Sequence, residues 1–362
     1  MNNNNIINED LNQINETIKS KGDWLEATIV ITGCAGFLGF YFLNYFVNYG
    51  TQLRIKKIIG LDNFQFGKPE WLNTMEKKFS SLLTIKSFDI SKDDISHLEG
   101  ISDTRYVIHG ASIASPSFYR KFPIETINAN IWGLTKLLNF FKGRSNLKGF
   151  LFFSSSEIYG DPSLESIPTN EEYRGNVSCH GPRACYDESK RFGETLCWVY
   201  SKQFNMPIIV ARPFNNFGPG MHLNDKRLPA DFANQVLNKN DIVILSDGEP
   251  TRTFCYISDA IIGYILCLTH GTYDYFNIGM DKPEITVKKF AEYFKSAGMS
   301  IFDYKGAIKY KKSLDKDYMT DNPNRRCPSI EKARKILNFN PVIDVKDGVE
   351  RYLTFLKDNL NK

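Results

Sequence analysis

Thr28-Ile29-Val30-Ile31-Thr32-Gly33-Cys34-Ala35-Gly36-Phe37-Leu38-Gly39 changes its periodicity halfway along. Ala27 to Thr32 is a β-branched run with the length of a buried strand, and Phe37 to Val47 is apolar enough to be a buried helix. Gly33, Gly36 and Gly39 stand between them at three-residue spacing. A second strand follows at Ile55 to Leu61, which completes a βαβ unit. A glycine turn between strand and helix lets backbone N–H groups and the helix N-terminus approach a pyrophosphate, so Gly33, Gly36, Phe37, Leu38 and Gly39 are candidate dinucleotide contacts. Asp62 ends the second strand about two dozen residues after Gly39, where a carboxylate can accept from both hydroxyls of an adenosine ribose. Asn63 and Phe64 follow it in place of an arginine, which favours NAD over NADP.

Working outward, further strands are predicted at Leu83 to Phe88, Tyr106 to His109, Gly149 to Ser154, Ile208 to Arg212 and Tyr275 to Ile278. Helical patterns at Asn128 to Phe141 and Asp187 to Gln203 alternate with the earlier ones. The fold class expected is therefore α/β, a Rossmann-type doubly wound parallel sheet with a smaller, interleaved C-terminal substrate-binding lobe. The regular alternation stops after Arg212, and Pro213 to Leu228 is rich in Pro, Gly and Asn, as a ligand-facing loop would be. The expected organisation is an N-terminal arm (1–26), an NAD-binding domain (27–216, with segments near 256–280 returning to it) and a ligand-binding lobe (217–362). The lobe's helices are predicted at Pro229 to Leu237, Val287 to Lys295 and Ser329 to Leu337, and Ile6 to Ser20 has apolar residues near helical spacing.

With 362 residues, 42% of them hydrophobic, the chain can bury a large core. Its net charge of +4 comes from 45 basic and 41 acidic residues spread along the sequence, with no basic block of the kind that marks nucleic-acid binding. The seven cysteines show no Cys-x-x-Cys spacing and the five histidines form no cluster, so no metal site is expected and the thiols read as buried groups in a reducing cytoplasm. No segment reads as a signal peptide or membrane span, since Gly39 to Val47 and Ala260 to Leu268 are apolar but short. The location expected is cytoplasmic, with no membrane partner.

Within Gly181-Pro-Arg-Ala-Cys-Tyr-Asp-Glu-Ser-Lys190, Tyr186 and Lys190 fall four residues apart on one helical face, where an ammonium group can help make the phenol a base. Bringing a phenol from ~10 to about 7 asks the lysine and cofactor charges for roughly 4 kcal/mol. The pair alone proves little, because 31 lysines and 18 tyrosines supply this spacing about once or twice by chance. Ser154-Ser-Ser-Glu-Ile-Tyr-Gly160 ends another predicted strand, at the sheet edge where open α/β folds bind ligands. There Ser155 can hydrogen-bond a substrate alcohol beside Tyr186, with Ser156 and Glu157 over the same substrate. Asp89 and Ile90, at a later strand end, are candidates to flank adenine.

Together, Gly33-x-x-Gly-x-x-Gly39, Asp62, Ser155, Tyr186 and Lys190 resemble the extended short-chain dehydrogenases/reductases, the superfamily of nucleotide-sugar epimerases, dehydratases and decarboxylases. Within it, Asp62-Asn-Phe64, Ser156-Glu-Ile-Tyr-Gly-Asp-Pro162, Gly181 to Arg191, Phe214-Asn-Asn-Phe-Gly-Pro219, Met221-His222, Thr251-Arg-Thr-Phe254 and Arg326-Cys-Pro-Ser-Ile330 are similar to the UDP-glucuronate decarboxylases. The similarity runs from about residue 27 to 356 and is densest between 154 and 260. It implies an NAD-dependent enzyme, a nucleotide-sugar partner and a homodimer contact through the helices at 128–141 and 187–203. It further assigns Ala111, Ser112 and Asn130 to the cofactor, and Ser115, Asn215, Arg227, Arg252 and Arg326 to the substrate.

The reaction implied is decarboxylation of a nucleotide-linked hexuronic acid, UDP-glucuronate to UDP-xylose, through a 4-keto sugar. Tyr186 takes the C4 hydroxyl proton with Lys190 holding the phenolate, and Glu157 or a water it orders is the candidate proton donor to C5. Related 4,6-dehydratases carry Asp-Glu where this chain has Ser156-Glu157, and serine is a poor acid for expelling water. Arg326 is expected near the sugar C6 carboxylate, with Arg325 leaving the register open by one residue, and Arg252 matches a diphosphate-binding arginine. Departures from the pattern are His109-Gly-Ala-Ser-Ile-Ala-Ser-Pro116, Ser189 for a usual glycine, and the first 26 residues. The alternatives are a 4-epimerase or 4,6-dehydratase of the same superfamily and, remotely, a nucleotide-binding protein without turnover.

Overall fold

Seven short strands form one parallel sheet: β1 (Thr28–Thr32), β2 (Lys57–Asp62), β3 (Leu83–Ser87), β4 (Thr104–His109), β5 (Gly149–Phe153), β6 (Ile208–Pro213) and β7 (Asp274–Ile278). Their spatial order is 3-2-1-4-5-6-7. The computed structural model describes residues 5–317 and 320–360, so the first four residues of the expected arm lie outside it. β1 and β5 are buried along their whole length, as parallel strands covered on both faces must be. The order in which successive strands are added reverses between β1 and β4, all strands staying parallel, and a crevice opens there beyond their carboxyl ends.

The helix after the glycine turn spans Phe37–Leu53 and is apolar nearly all round because both of its sides are covered. One side meets the core; the other meets a helix at Asn5–Ile18, formed where the apolar spacing predicted it. The helix Ile257–Leu268 is fully buried and packs on β5, β6 and β7. The segment expected as one helix at 128–141 is longer, from Pro123 to Phe141, and passes through a π-helical stretch at Asn128–Gly133.

The remaining segments form small sheets and helices around a Phe-rich core in which Phe254 stacks on Phe290 at 3.7 Å. Thr251–Arg252 is the middle strand of a three-stranded ribbon, antiparallel to Ile285–Thr286 and parallel to Arg325–Arg326. That register sets Arg252 and Arg326 side by side. All seven cysteines are free; five are buried, and Cys179 is exposed. Among the described residues no helix is long and apolar enough to cross a membrane, and no three His, Cys, Asp or Glu side chains are gathered to hold a metal ion.

Candidate active site

A single cavity of about 2310 Å³ runs from the glycine turn, across the ends of β1, β4 and β5, to the small three-stranded ribbon. Gly33, Gly36, Phe37, Leu38, Gly39, Asp62, Asn63, Asp89, Ile90, Ala111 and Ser112 line its cofactor side. Gly33 has φ +69°, and a Cβ there would lie 2.7 Å from the backbone of Ala111. At Gly39 a Cβ would lie 2.4 Å from the Cys34 carbonyl oxygen. The turn therefore brings backbone close to any bound group. Asp62 closes it by accepting from the Ala35 amide at 3.0 Å and the Phe64 amide at 2.9 Å. Asp89 caps its own turn through Ser91 and also faces the cavity.

The hydroxyl oxygens of Ser112 and Ser154 are buried on the cavity wall with no partner in the chain, an arrangement that suits a polar ligand. With the glycine cradle and Asp62, these residues fit a dinucleotide. Asn130 departs from expectation. It does not line the cavity; it sits in the π-helical stretch and donates to Ser189 Oγ at 2.8 Å, behind the helix Ala184–Phe204 that carries Tyr186 and Lys190. It therefore supports that helix through Nδ2, while its buried Oδ1 has no partner in the chain.

Tyr186 and Lys190 share the inner face of this helix, both buried. Lys190 Nζ donates to the Phe153 carbonyl at 2.8 Å, and burial brings its pKa down to about 7. Burial drives Tyr186 the other way, up to about 12; the nearby Ser155 hydroxyl and Arg227 pull it down, while Glu157 and Asp187 push it up. The protein's own groups thus raise the phenol, which leaves the lowering expected from the lysine and cofactor charges together to be supplied with the cofactor's share. Desolvation of a phenolate outweighs a single neighbouring hydroxyl. Ser155 itself caps the turn at Ser156–Tyr159 by accepting from the Glu157 amide at 3.2 Å.

The far side is charged. Glu157 pairs through Oε2 with Arg183 Nη2 and, at 2.6 Å, with Arg326 Nη2. Burial would raise this carboxyl, but Arg183, Arg326 and Arg252 together hold it down to about 2. Glu157 is consequently an ionised carboxylate clamped between guanidiniums, which, of the two expected proton donors, Glu157 itself or a water it orders, favours the water. Burial, with the like charge of Arg326, brings Arg252 down to about 9, and burial with the charge of Glu157 raises Asp187 to about 7. Arg183, Arg252 and Arg326 face Glu157, and Asp187, 3.4 Å from Arg183 and only partly ionised near neutral pH, offsets them incompletely, so the site carries surplus positive charge.

The register left open by sequence is resolved by strand alternation. Arg325 turns outward to Glu284, at 2.9 and 2.6 Å, and Arg326 turns into the cavity. Arg252 also lines the cavity, with its guanidinium on the carbonyls of Pro323 and Asn324 at 2.6 and 3.0 Å. Arg227 is held by Asp225, Ser115 donates to the Asp225 carbonyl, and Asn215 faces the same space. Two cavity residues were not anticipated. Arg183 was signalled by its place three residues before Tyr186, on the same helical face. Tyr119, whose ring stacks on Tyr186 at 5.0 Å and whose buried hydroxyl has no partner, had no sequence signal.

A sequence profile of the NAD dependent epimerase/dehydratase family matches residues 29–279. UDP-glucuronic acid decarboxylase 1 of Xenopus tropicalis is 32% identical over 336 residues, covering 92% of this chain and 72% of the relative. UDP-glucuronic acid decarboxylase 1 of Arabidopsis thaliana is 33% identical over 333 residues, covering 92% and 70%. Among solved structures, UDP-glucuronic acid 4-epimerase from Bacillus cereus, in complex with UDP-glucuronic acid and NAD, superposes with a TM-score of 0.73 at 26% identity, covering 91% of this chain and 99% of that one. The resemblance read from the glycine turn, Asp62, Ser155, Tyr186 and Lys190 is thus met by independent comparison, and the chain belongs to the NAD dependent epimerase/dehydratase family of extended short-chain dehydrogenases/reductases.

Proposed function

We propose that the protein is an NAD-dependent decarboxylase of a nucleotide-linked hexuronic acid, converting UDP-glucuronate to UDP-xylose. The observation that carries this reading is the surplus of guanidinium charge around Glu157, because an anionic sugar C6 group would relieve it and a neutral hexose would not. The decarboxylase relatives support it.

Residues 217–362 supply Arg227, Arg252 and Arg326 for the nucleotide sugar, and the glycine turn with Asp62, Asn63, Asp89, Ile90, Ala111 and Ser112 holds the dinucleotide. NAD held there would supply a hydride acceptor, and later a hydride donor, for C4 of the sugar. Tyr186 Oη removes the C4 hydroxyl proton, with the Ser155 hydroxyl donating to the same oxygen. Bringing the phenol from about 12 to near 7 requires roughly 7 kcal/mol of phenolate stabilisation, drawn from the Lys190 ammonium and the charge of the bound cofactor. Arg326 and Arg183 orient the C6 carboxylate beside Glu157. Loss of CO₂ leaves negative charge on the C4 oxygen, where Ser155 and Tyr186 both donate. Tyr186 must keep its proton to give back to that oxygen when C4 is reduced. With Glu157 ionised, the proton reaching C5 comes from water, and the balance is one proton taken up for each CO₂ released.

A second reading, 4-epimerisation of the same uronate, is favoured by the likeness to the Bacillus cereus enzyme. The 4,6-dehydratase reading is weakened by Ser156, which lacks an acidic proton for a leaving hydroxyl. Mass spectrometry of products from UDP-glucuronate tests the proposal: a UDP-pentose with CO₂ supports it, and UDP-galacturonate without CO₂ contradicts it.

We also infer a homodimer. Ile124, Trp132, Phe192 and Trp198 are exposed large apolar side chains on the helices spanning 123–141 and 184–204, with Trp132 59% and Trp198 51% exposed. Two copies related by a two-fold axis would cover them. Sedimentation at twice the chain mass supports this, and a species of one chain mass contradicts it.

A further inference from the structure

The helix Asn5–Ile18 precedes the family-matched segment and takes no part in the chemistry above. Ile7, Leu11, Ile14 and Ile18 bury its apolar face against the helices Phe37–Leu53, Ile257–Leu268 and Val345–Asn359. An apolar stripe is enough to dock a helix, so a charged group on the same face needs its own explanation. Asp10 is 0% exposed. Its Oδ2 accepts from Tyr41 Oη at 2.6 Å and from Tyr256 Oη at 2.8 Å, and its Oδ1 lies 3.2 Å from Arg351 Nη1. Burial opposes this carboxylate, raising it to about 6 against the pull of both phenols and Arg351. A buried charge stripped of its partners is strongly destabilising, so the helix is held in one register. Gln13 adds polar contacts alongside, donating to Asp259 at 2.9 Å and accepting from Ser258 at 3.2 Å.

The three partners of Asp10 come from two helices that line the cavity and from a strand paired with a segment that does. Tyr41 is on the helix begun at the glycine turn. Tyr256 is on the short strand paired with Asn216–Phe217, next to Asn215. Arg351 is on the C-terminal helix, whose Phe355 and Asn359 line the cavity, as does Ile7 of the N-terminal helix. One carboxylate thereby ties the cofactor-side helix to elements of the substrate side.

We propose that the N-terminal helix is a clamp and Asp10 its positioning residue, locking the glycine-turn helix against the C-terminal helix and so fixing the geometry of the dinucleotide cleft. This rests on the family's NAD dependence and not on the identity of the sugar. NAD titrated calorimetrically into the full-length protein, well below its melting temperature, therefore tests it apart from the decarboxylase reading. Asp10→Ala is expected to weaken NAD binding by about fivefold or more and to speed amide hydrogen exchange over residues 37–43. Leu11→Ala, which removes packing from the same helix and leaves the bridge, is expected to lower the melting temperature without weakening NAD. Should Asp10→Ala fail to fold, Arg351→Gln breaks the bridge from its other side and carries the same expectation. Unchanged NAD affinity and exchange in a folded bridge variant, or an equal loss of affinity in Leu11→Ala, would overturn the clamp.

Discussion

The two sides of the cavity use opposite electrostatics. Around Tyr186 and Lys190 the protein removes water and offers little countercharge, so the phenol is pushed up to about 12 and the ammonium down to about 7. Around Glu157 it concentrates charge, with Arg183 and Arg326 on the carboxylate and Arg252 beside them. In the proposed reading the first region serves oxidation at C4 and the second takes the anionic C6 group, so the charged side would decide the outcome of the reaction.

The strongest way to break the comparison is at Tyr186. Tyr186→Phe should lower turnover about 10³-fold, within the usual range for a positioned general base, while NAD binding stays within about twofold. Near-normal activity, measured as CO₂ release, would remove the phenol from the chemistry. Next in size, Arg326→Ala should reduce kcat/KM for UDP-glucuronate about 10²-fold and change the binding of UDP-glucose far less. Equal losses for the acid and the neutral hexose would mean that the charged side does not read the carboxylate.

Stability against pH sharpens the contrast further. Glu157 has a folded pKa of about 2, below its ordinary 4.5, so its contribution is fully present above about pH 4.5 and fades as pH falls toward 2. Urea unfolding of Glu157→Gln should show a loss of about 3 kcal/mol at pH 7 that shrinks below pH 4. A loss independent of pH would contradict the ion-pair account. Lys190 behaves in reverse. Its folded pKa of about 7 lies below 10.5, so charge burial costs stability below pH 7 and the cost disappears as pH rises toward 10.5. Lys190→Met should accordingly raise the melting temperature at pH 7 and leave it unchanged near pH 10.5; a gain that persists at the higher pH would exclude the charge as its cause.

Much of the cofactor side was legible in the sequence because its signals are local: a strand, glycines at fixed spacing, a carboxylate at the next strand end, and a tyrosine and lysine one helical turn apart. The charged side depends on long-range pairing. Arg325 and Arg326 could be told apart only once Arg326 was found in register with Arg252, since adjacent strand residues face opposite ways. Arg183 carried a usable helical signal, whereas Tyr119 meets Tyr186 only through tertiary packing. The contact of Asn130 with Ser189 was not legible, because the π-helical stretch at Asn128–Gly133 that sets it leaves no mark in the apolar spacing.

The division of labour is tested most directly by a single-turnover experiment on Glu157→Gln with UDP-glucuronate, following nicotinamide reduction by absorbance and CO₂ release in the same reaction. The account predicts that reduction proceeds while CO₂ release is slowed at least tenfold, because the C4 side is intact while Arg183 and Arg326, freed of Glu157, hold the C6 carboxylate too tightly for its loss. Parallel loss of both signals, or CO₂ release at the wild-type rate, would contradict it.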